Sequence, residues 1–184
     1  MDCFIQKSRC WLTIAAALCM GGAADLSAQR VALKTNALAW LTASPNAELE
    51  CVVGRHLSLN LGVAANPLNL DRYRTTFVHV QPELRYWVNR PTVSHFVGLT
   101  GFLNNYRLRW KEHERKGDAV AVGFTYGYAW PLSDRWNLEA TVGVGVLRYR
   151  QYKWTAPESQ PQELNDRKTT LAPIKLGVSF VYLL

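Results

Sequence analysis

The chain lacks most of the features that assign a class at sight. Of its 184 residues only four are cysteine and two methionine. Cys3, Cys10 and Cys19 fall within a leader that reads as removable, so Cys51 is the one thiol left and no internal disulfide can form. After residue 28 no segment reaches the roughly 18 uncharged apolar residues of a membrane helix. His79, His95 and His113 are scattered without metal-ligand spacing. No glycine loop of the phosphate-cradling kind occurs, and the glycines sit at strand positions instead. No cofactor is expected.

What is present begins with an export signal. Lys7 and Arg9 precede an apolar run from Cys10 to Met20, and small residues follow to Leu26, Ser27 and Ala28. That is the layout of a secretory signal peptide, 1–28, cleaved after Ala28. Leu18 stands where a lipoprotein site has a small residue, which argues against lipid attachment at Cys19. The remainder, 29–184, suits one domain. Asp2 and Asp25 offset Lys7 and Arg9, so the net charge of +7 lies wholly in that domain. An exported chain without a helical anchor can still be integral if it closes into a barrel.

Along the domain the hydrophobic period is two, which reads as strand after strand. Eight are expected: 30–42, a second ending near Gly54, 57–66, 76–88, 95–110, 119–130, 136–154 and 168–184. In the last, Ile174, Leu176, Val178, Phe180, Tyr182 and Leu184 share one face. Pairing this strand with the first would close the sheet and leave no free edge. Pro82 inside the fourth implies a bulge or an unpaired position. Short turns at 54–56, 89–92 and 131–135 alternate with longer polar loops at 67–75, 111–118 and 155–167 and a short connection at 43–46. Short turns at one end and long loops at the other are the plan of an eight-stranded, antiparallel, up-and-down transmembrane β-barrel with both termini periplasmic.

One face of most strands is Val, Leu, Phe and Tyr, and the other carries Lys34, Glu48, Glu50, Glu83, Arg85, Glu139 and Lys175. In a water-soluble barrel, such as a lipocalin, the apolar face would point inward; in a membrane it points outward. The tryptophans bear on this. Trp40, Trp87, Trp110, Trp130, Trp136 and Trp154 all fall near strand ends, where interfacial aromatics belong, although strict alternation turns Trp40, Trp87 and Trp110 inward. With the charges inside, lysines and arginine would pair with glutamates, because an unpaired buried charge costs several kcal/mol. Eight strands leave room only for such side chains, so a plugged interior is expected. Gly62, Gly98, Gly123, Gly143, Gly145 and Gly177 would make space for them.

Lys34-Thr35-Asn36, Pro45-Asn46, Asn66-Pro67, Gln81-Pro82-Glu83, Arg85-Tyr86-Trp87, Arg135-Trp136-Asn137-Leu138-Glu139-Ala140, Gly143-Val144-Gly145 and Pro173 with Lys175 and Gly177 resemble a family of small exported barrels from Bacteroidota whose function is unknown. Its members often sit among genes for fimbrial components, and the resemblance therefore implies work at the surface or with fimbriae. Lys175, Gly177, Phe180 and Tyr182 resemble the C-terminal signal read by the outer-membrane barrel assembly machinery, with two leucines following where many such proteins end in an aromatic.

His56 and Ser58 share a strand face, a spacing found in barrel enzymes that deacylate lipid A. They fall at a periplasmic turn, away from the outer leaflet, with no carboxylate evident to orient the histidine, so no catalysis is expected. Cations gather at the loop end, including Arg107, Arg109, Lys111, Arg148, Arg150 and Lys153. This rim suits outer-membrane lipid and lipopolysaccharide phosphates or an acidic surface protein. A solvated rim, with Glu112, Glu114, Asp118 and Glu158 interspersed, accounts for it equally well. Nucleic acid is not expected for an exported barrel, though charge alone would permit it.

Overall fold

The structure, a computed structural model, describes residues 31–69, 73–155, 161, 163 and 166–184. The segment expected to be a signal peptide, with Cys3, Cys10 and Cys19, lies outside the described residues. Eight strands follow one another: β1 (Val31–Asn36), β2 (Asn46–Val52), β3 (Leu57–Asn69), β4 (Tyr73–Trp87), β5 (Ser94–Trp110), β6 (His113–Pro131), β7 (Trp136–Thr155) and β8 (Asp166–Leu183). Each pairs antiparallel with its neighbours in chain order, and β8 returns to β1, giving a closed barrel. The closing seam runs from Ala32 opposite Leu183 to Asn36 opposite Ser179. Among the described residues no helix is long and apolar enough to cross a membrane.

Alternation along the strands decides what each face holds. On β7, Asn137, Glu139 and Thr141 are buried, while Trp136, Val142, Val144 and Val146 are exposed. Register carries this pattern around the ring, since partners directly opposite share a face. Gly143 stands opposite Thr125 and Lys175 on the inside, and Val142 opposite Tyr126 and Leu176 on the outside. The inner face is therefore polar and the outer face apolar. Glycines fit the inner face to its long side chains: an added Cβ would stand 2.7 Å from Glu83 Oε1 at Gly98 and 3.1 Å from Lys175 Cβ at Gly143.

The expected loop 67–75 is strand over 67–69 and 73–75, β3 and β4 pairing from Pro67 opposite Thr76 to Asn69 opposite Arg74, and three further local features differ from the sequence expectation. The first strand ends at Asn36, and residues 37–41 form a short helix, α1 (Ala37–Leu41), where a continuous strand is expected. Asn36 caps it, its Oδ1 accepting from Leu38 N–H at 3.0 Å, and Ala43, at a φ of 52°, ends the connection. Second, the polar stretch 111–118 is mostly strand, and β5 and β6 pair out to Trp110 opposite His113. Cross-strand bonds hold it there: Asn105 donates to Asp118 at 2.7 Å and Arg109 to Glu114 at 2.8 Å. Third, the register of β7 with β8 shifts, Gly143 facing Lys175 but Val144 facing Pro173. The extra residue, Ile174, is buried inside and not on the outer face with Leu176. Pro82 produces no shift; the ladder to β5 skips Gln81 and Pro82 and resumes at Glu83 in the same register.

The strands differ in height. β1 and β2 have 6 and 7 residues, against 20 in β7 and 18 in β8. The wall is low on one flank and tall on the other.

Candidate functional site

The interior is filled by one ionic network at mid-height. Arg85 on β4 is fully buried and sits at its centre. Its Nε and Nη2 donate to Glu83 Oε2 at 2.9 and 2.8 Å, and its Nη1 donates to Glu50 Oε2 at 3.1 Å and Glu139 Oε1 at 3.0 Å. Lys34 from β1 pairs with Glu139 at 2.6 Å and also with Glu50. Lys175 from β8 bridges Glu83 at 2.9 Å and Glu48 at 3.2 Å. All seven charged residues expected inside are thus brought together, with three cations facing four carboxylates. Neutral side chains absorb much of the remaining capacity. Ser58 donates to Glu50, Thr125 to Glu83, Asn60 to Glu48 at 2.6 Å and Thr141 to Glu139 at 3.1 Å. These four share the inward parity of their neighbours, the one signal by which the sequence marks them.

At the turn end a hydrophobic floor closes the interior. Trp87 and Phe96 are fully buried against each other, ring centres 4.7 Å apart, with Ala129 beside them. The Arg85 guanidinium lies 4.4 Å from the Phe96 ring centre, a cation–π contact that joins network to floor. Trp87 donates from Nε1 to Ser58 at 2.8 Å, and Asn137 Nδ2 to the Thr92 carbonyl at 2.6 Å. The paired charges and the rings thus stack directly on one another at this end of the interior. Toward the loop end the interior opens into a cavity of about 260 Å³, lined by Glu48 and Lys175 below and by His79, Gln81, Asn104, Ala39 of α1 and the turn residues Thr42 and Ser44 above.

A family model described as "Protein of unknown function (DUF3575)" matches residues 12–184. The chain belongs to the DUF3575 family. No curated protein and no solved structure matches it.

The other residues singled out in this DUF3575 chain occupy distinct places. Of the C-terminal signal, Lys175 and Gly177 face inward, Phe180 is exposed on the outer face, and Tyr182 packs on Trp136 with ring centres 5.0 Å apart. Among the rim cations, Arg107, Arg109, Arg148 and Arg150 continue the outward parity of β5 and β7 above the apolar residues. Lys111 lies in the hairpin tip, and Lys153, opposite Arg115, has the inward parity. The six therefore do not form one ring on a single face. The tryptophans divide in a similar way. Trp87 is inside, but Trp110 is 67 % exposed because its inward-parity position lies at a hairpin tip with no opposite wall, and Trp40 is carried outward by α1. His56 sits in the first turn, its Nδ1 donating to the Trp87 carbonyl at 2.9 Å, whereas the Ser58 hydroxyl is committed to Glu50 and Trp87 in the buried floor. Among the described residues no cluster of three or more His, Cys, Asp or Glu is placed to hold a metal.

Proposed function

We propose that this DUF3575 chain is an integral protein of the bacterial outer membrane: an eight-stranded barrel with a sealed interior, exported by its signal peptide and acting as a structural or interaction component of the cell surface. The observation that carries the reading is the inversion of the two faces. Val142 and Val144 are 52 % and 51 % exposed, with Leu99, Phe124 and Leu176 around them, while Glu139 is 2 % exposed and Arg85 fully buried. In water such an outer face would be an apolar patch far larger than soluble monomers carry. In hydrocarbon it is the stable arrangement, because a closed sheet satisfies its backbone and only apolar side chains meet lipid.

The dimensions agree with a bilayer. On β7 the outward apolar positions run from Trp136 to Val146. Ten residue steps of about 3.3 Å, tilted by about 40°, span about 25 Å, the height of the apolar band in barrels of this type. Trp130 and Trp136 border the band at the turn end, as interfacial aromatics do, and Arg148 and Arg150 border it at the other. With the turns in the periplasm, the start of β1 and the end of β8 lie there too, within reach of the assembly machinery that reads Lys175, Gly177, Phe180 and Tyr182. The cations Arg107, Arg109, Arg148 and Arg150 then stand at the level of lipopolysaccharide phosphates. The tall hairpins are the parts available to fimbrial or other surface proteins, the role that the resemblance to Bacteroidota barrels encoded near fimbrial genes suggests. No catalytic role is proposed, since the sealed floor occupies Ser58 and the network leaves no carboxylate free to activate a nucleophile.

Electrophoresis of the outer-membrane fraction with and without boiling tests the reading. A folded barrel migrates faster unboiled and resists carbonate extraction. A chain that migrates identically in both samples, or that carbonate releases, overturns it.

A further inference from the structure

The wall is incomplete on its low flank. β1 stops at Asn36 and β2 begins at Asn46, whereas β3 runs on to Asn69 and β8 starts back at Asp166. Above the Asn36–Ser179 and Asn46–Ala64 pairs, β8 and β3 therefore face each other across a notch two strands wide. Among the described residues no strand pairs with Asp166–Val178 on that side. α1 and the turn after it fill the notch. Asn36 takes the place of a further strand residue, donating to the Leu176 carbonyl at 3.1 Å and accepting from Val178 N–H at 3.3 Å. Across the gap, Asn66 Nδ2 donates to the Thr42 carbonyl at 2.9 Å and the Ser44 hydroxyl at 3.0 Å.

The notch is not shaped for another strand. The bulge at Ile174 breaks the line of β8, and Pro173 offers no N–H, the devices by which edges refuse pairing. With the notch filled, the cavity behind α1 is reached from the loop end, where the interior opens. That cavity has Ala39, Thr42 and Ser44 as its wall toward the notch and Gln81 and Asn104 deeper inside. Glu48 and Lys175 at its base neutralise one another, so it calls for no ion. It offers amides instead, and Asn104 Oδ1 is buried with no partner among the described residues. Hydroxyl groups, which both donate and accept, match such a lining. At about 260 Å³ the cavity has room for a head group and not for a whole lipid. Outside the notch Trp40, Leu41 and Leu176 are exposed and apolar.

We infer that this cavity is a binding site for an amphiphile with a small, uncharged, hydroxyl-bearing head group, an acylglycerol or a monosaccharide glycolipid, whose head enters from the loop end while its chain passes over α1 to lie across Trp40, Leu41 and Leu176. The inference rests on the membrane reading for the surroundings of the chain. Native mass spectrometry of the protein in amine-oxide micelles, titrated with monooleoylglycerol, octyl glucoside, free glycerol and oleate, tests it. The expected result is a saturable one-to-one adduct with monooleoylglycerol or octyl glucoside, the stronger naming the head group, and binding at least tenfold weaker for glycerol and oleate. Ala64→Phe, which fills the cavity, and Asn104→Leu, which removes the orphan acceptor, each weaken that adduct at least tenfold while keeping the heat-dependent mobility of a folded barrel. Absence of a saturable adduct, equal binding of oleate, or undiminished binding by both folded variants overturns the site. A protein that binds as expected but is released by carbonate overturns the membrane reading and leaves the site standing.

Discussion

Sidedness can be measured by moving one arginine along the outer face of β7. Substituting Trp136, Leu138, Ala140, Val142, Val144, Val146 and Tyr152 singly by Arg places a charge at successive heights, since alternate residues of a strand share a face. The centre of the band, five residue steps from Trp136, falls between Ala140 and Val142. At that height Val142 stands beside Tyr126 and Leu176, both apolar neighbours on the same face, so no local carboxylate can shelter the guanidinium. The cost there is about 2–4 kcal/mol, falling to about 0–1 near either interface. A loss of about 3 kcal/mol is roughly a hundredfold in the folding constant. Urea titration into short-chain phosphatidylcholine vesicles, followed by tryptophan fluorescence, reads each variant. The profile should peak at Ala140 and Val142, with Tyr152 near zero. A flat profile within about 0.5 kcal/mol, the usual range for surface substitutions in water, refutes the reasoning.

Three further outcomes follow from the interior. Arg85→Met should cost about 3–5 kcal/mol, because it leaves Glu50, Glu83 and Glu139 without their shared cation, and Glu139→Gln in the same chain should restore part of that loss; a cost under about 1 kcal/mol would mean the charges are solvated. Trp87→Ala removes the largest side chain of the floor and should cost about 3–5 kcal/mol with loss of the near-ultraviolet dichroism of the Trp87–Phe96 pair, whereas an unchanged denaturation midpoint would contradict a packed floor. Gly145→Ala would set a Cβ 2.8 Å from both Gly123 Cα and Ile174 Cδ1 and should cost about 1–3 kcal/mol in the same titration; a neutral result would mean that the bulge at Ile174 is not packed as described.

Much of this architecture was legible because the period of two is unforgiving: Glu83, Arg85 and Trp87 on one strand and Val142, Val144 and Val146 on another cannot exchange faces without a slip. The ionic partners were legible for the same reason, as their parity put seven charges in one narrow space. The features that escaped are those that hydropathy does not mark. Ile174 reads as one more outward hydrophobe because a bulge leaves no mark in hydropathy; Pro173 beside it was the available signal. Ala37–Leu41 reads as apolar strand because the run is too short for a helical period to appear, and only Asn36 as a cap before Ala-Leu-Ala distinguishes it. The 111–118 segment reads as loop from its charge, yet paired charges across a two-stranded ribbon hold strand geometry as well as apolar pairs do.

In the membrane setting proposed above, the unequal wall has a consequence for the surrounding bilayer. On β1 the outward strand positions end at Thr35, about 10 Å of tilted strand above Val31, so the low flank leans on the side chains of a single helical turn to reach the height that β7 attains alone. Lipid beside it must thin or tilt to cover what remains, at fractions of a kcal/mol for each ångström. In that setting the barrel would perturb its membrane on one bearing only, and neighbouring lipids would be least ordered beside β1 and β2.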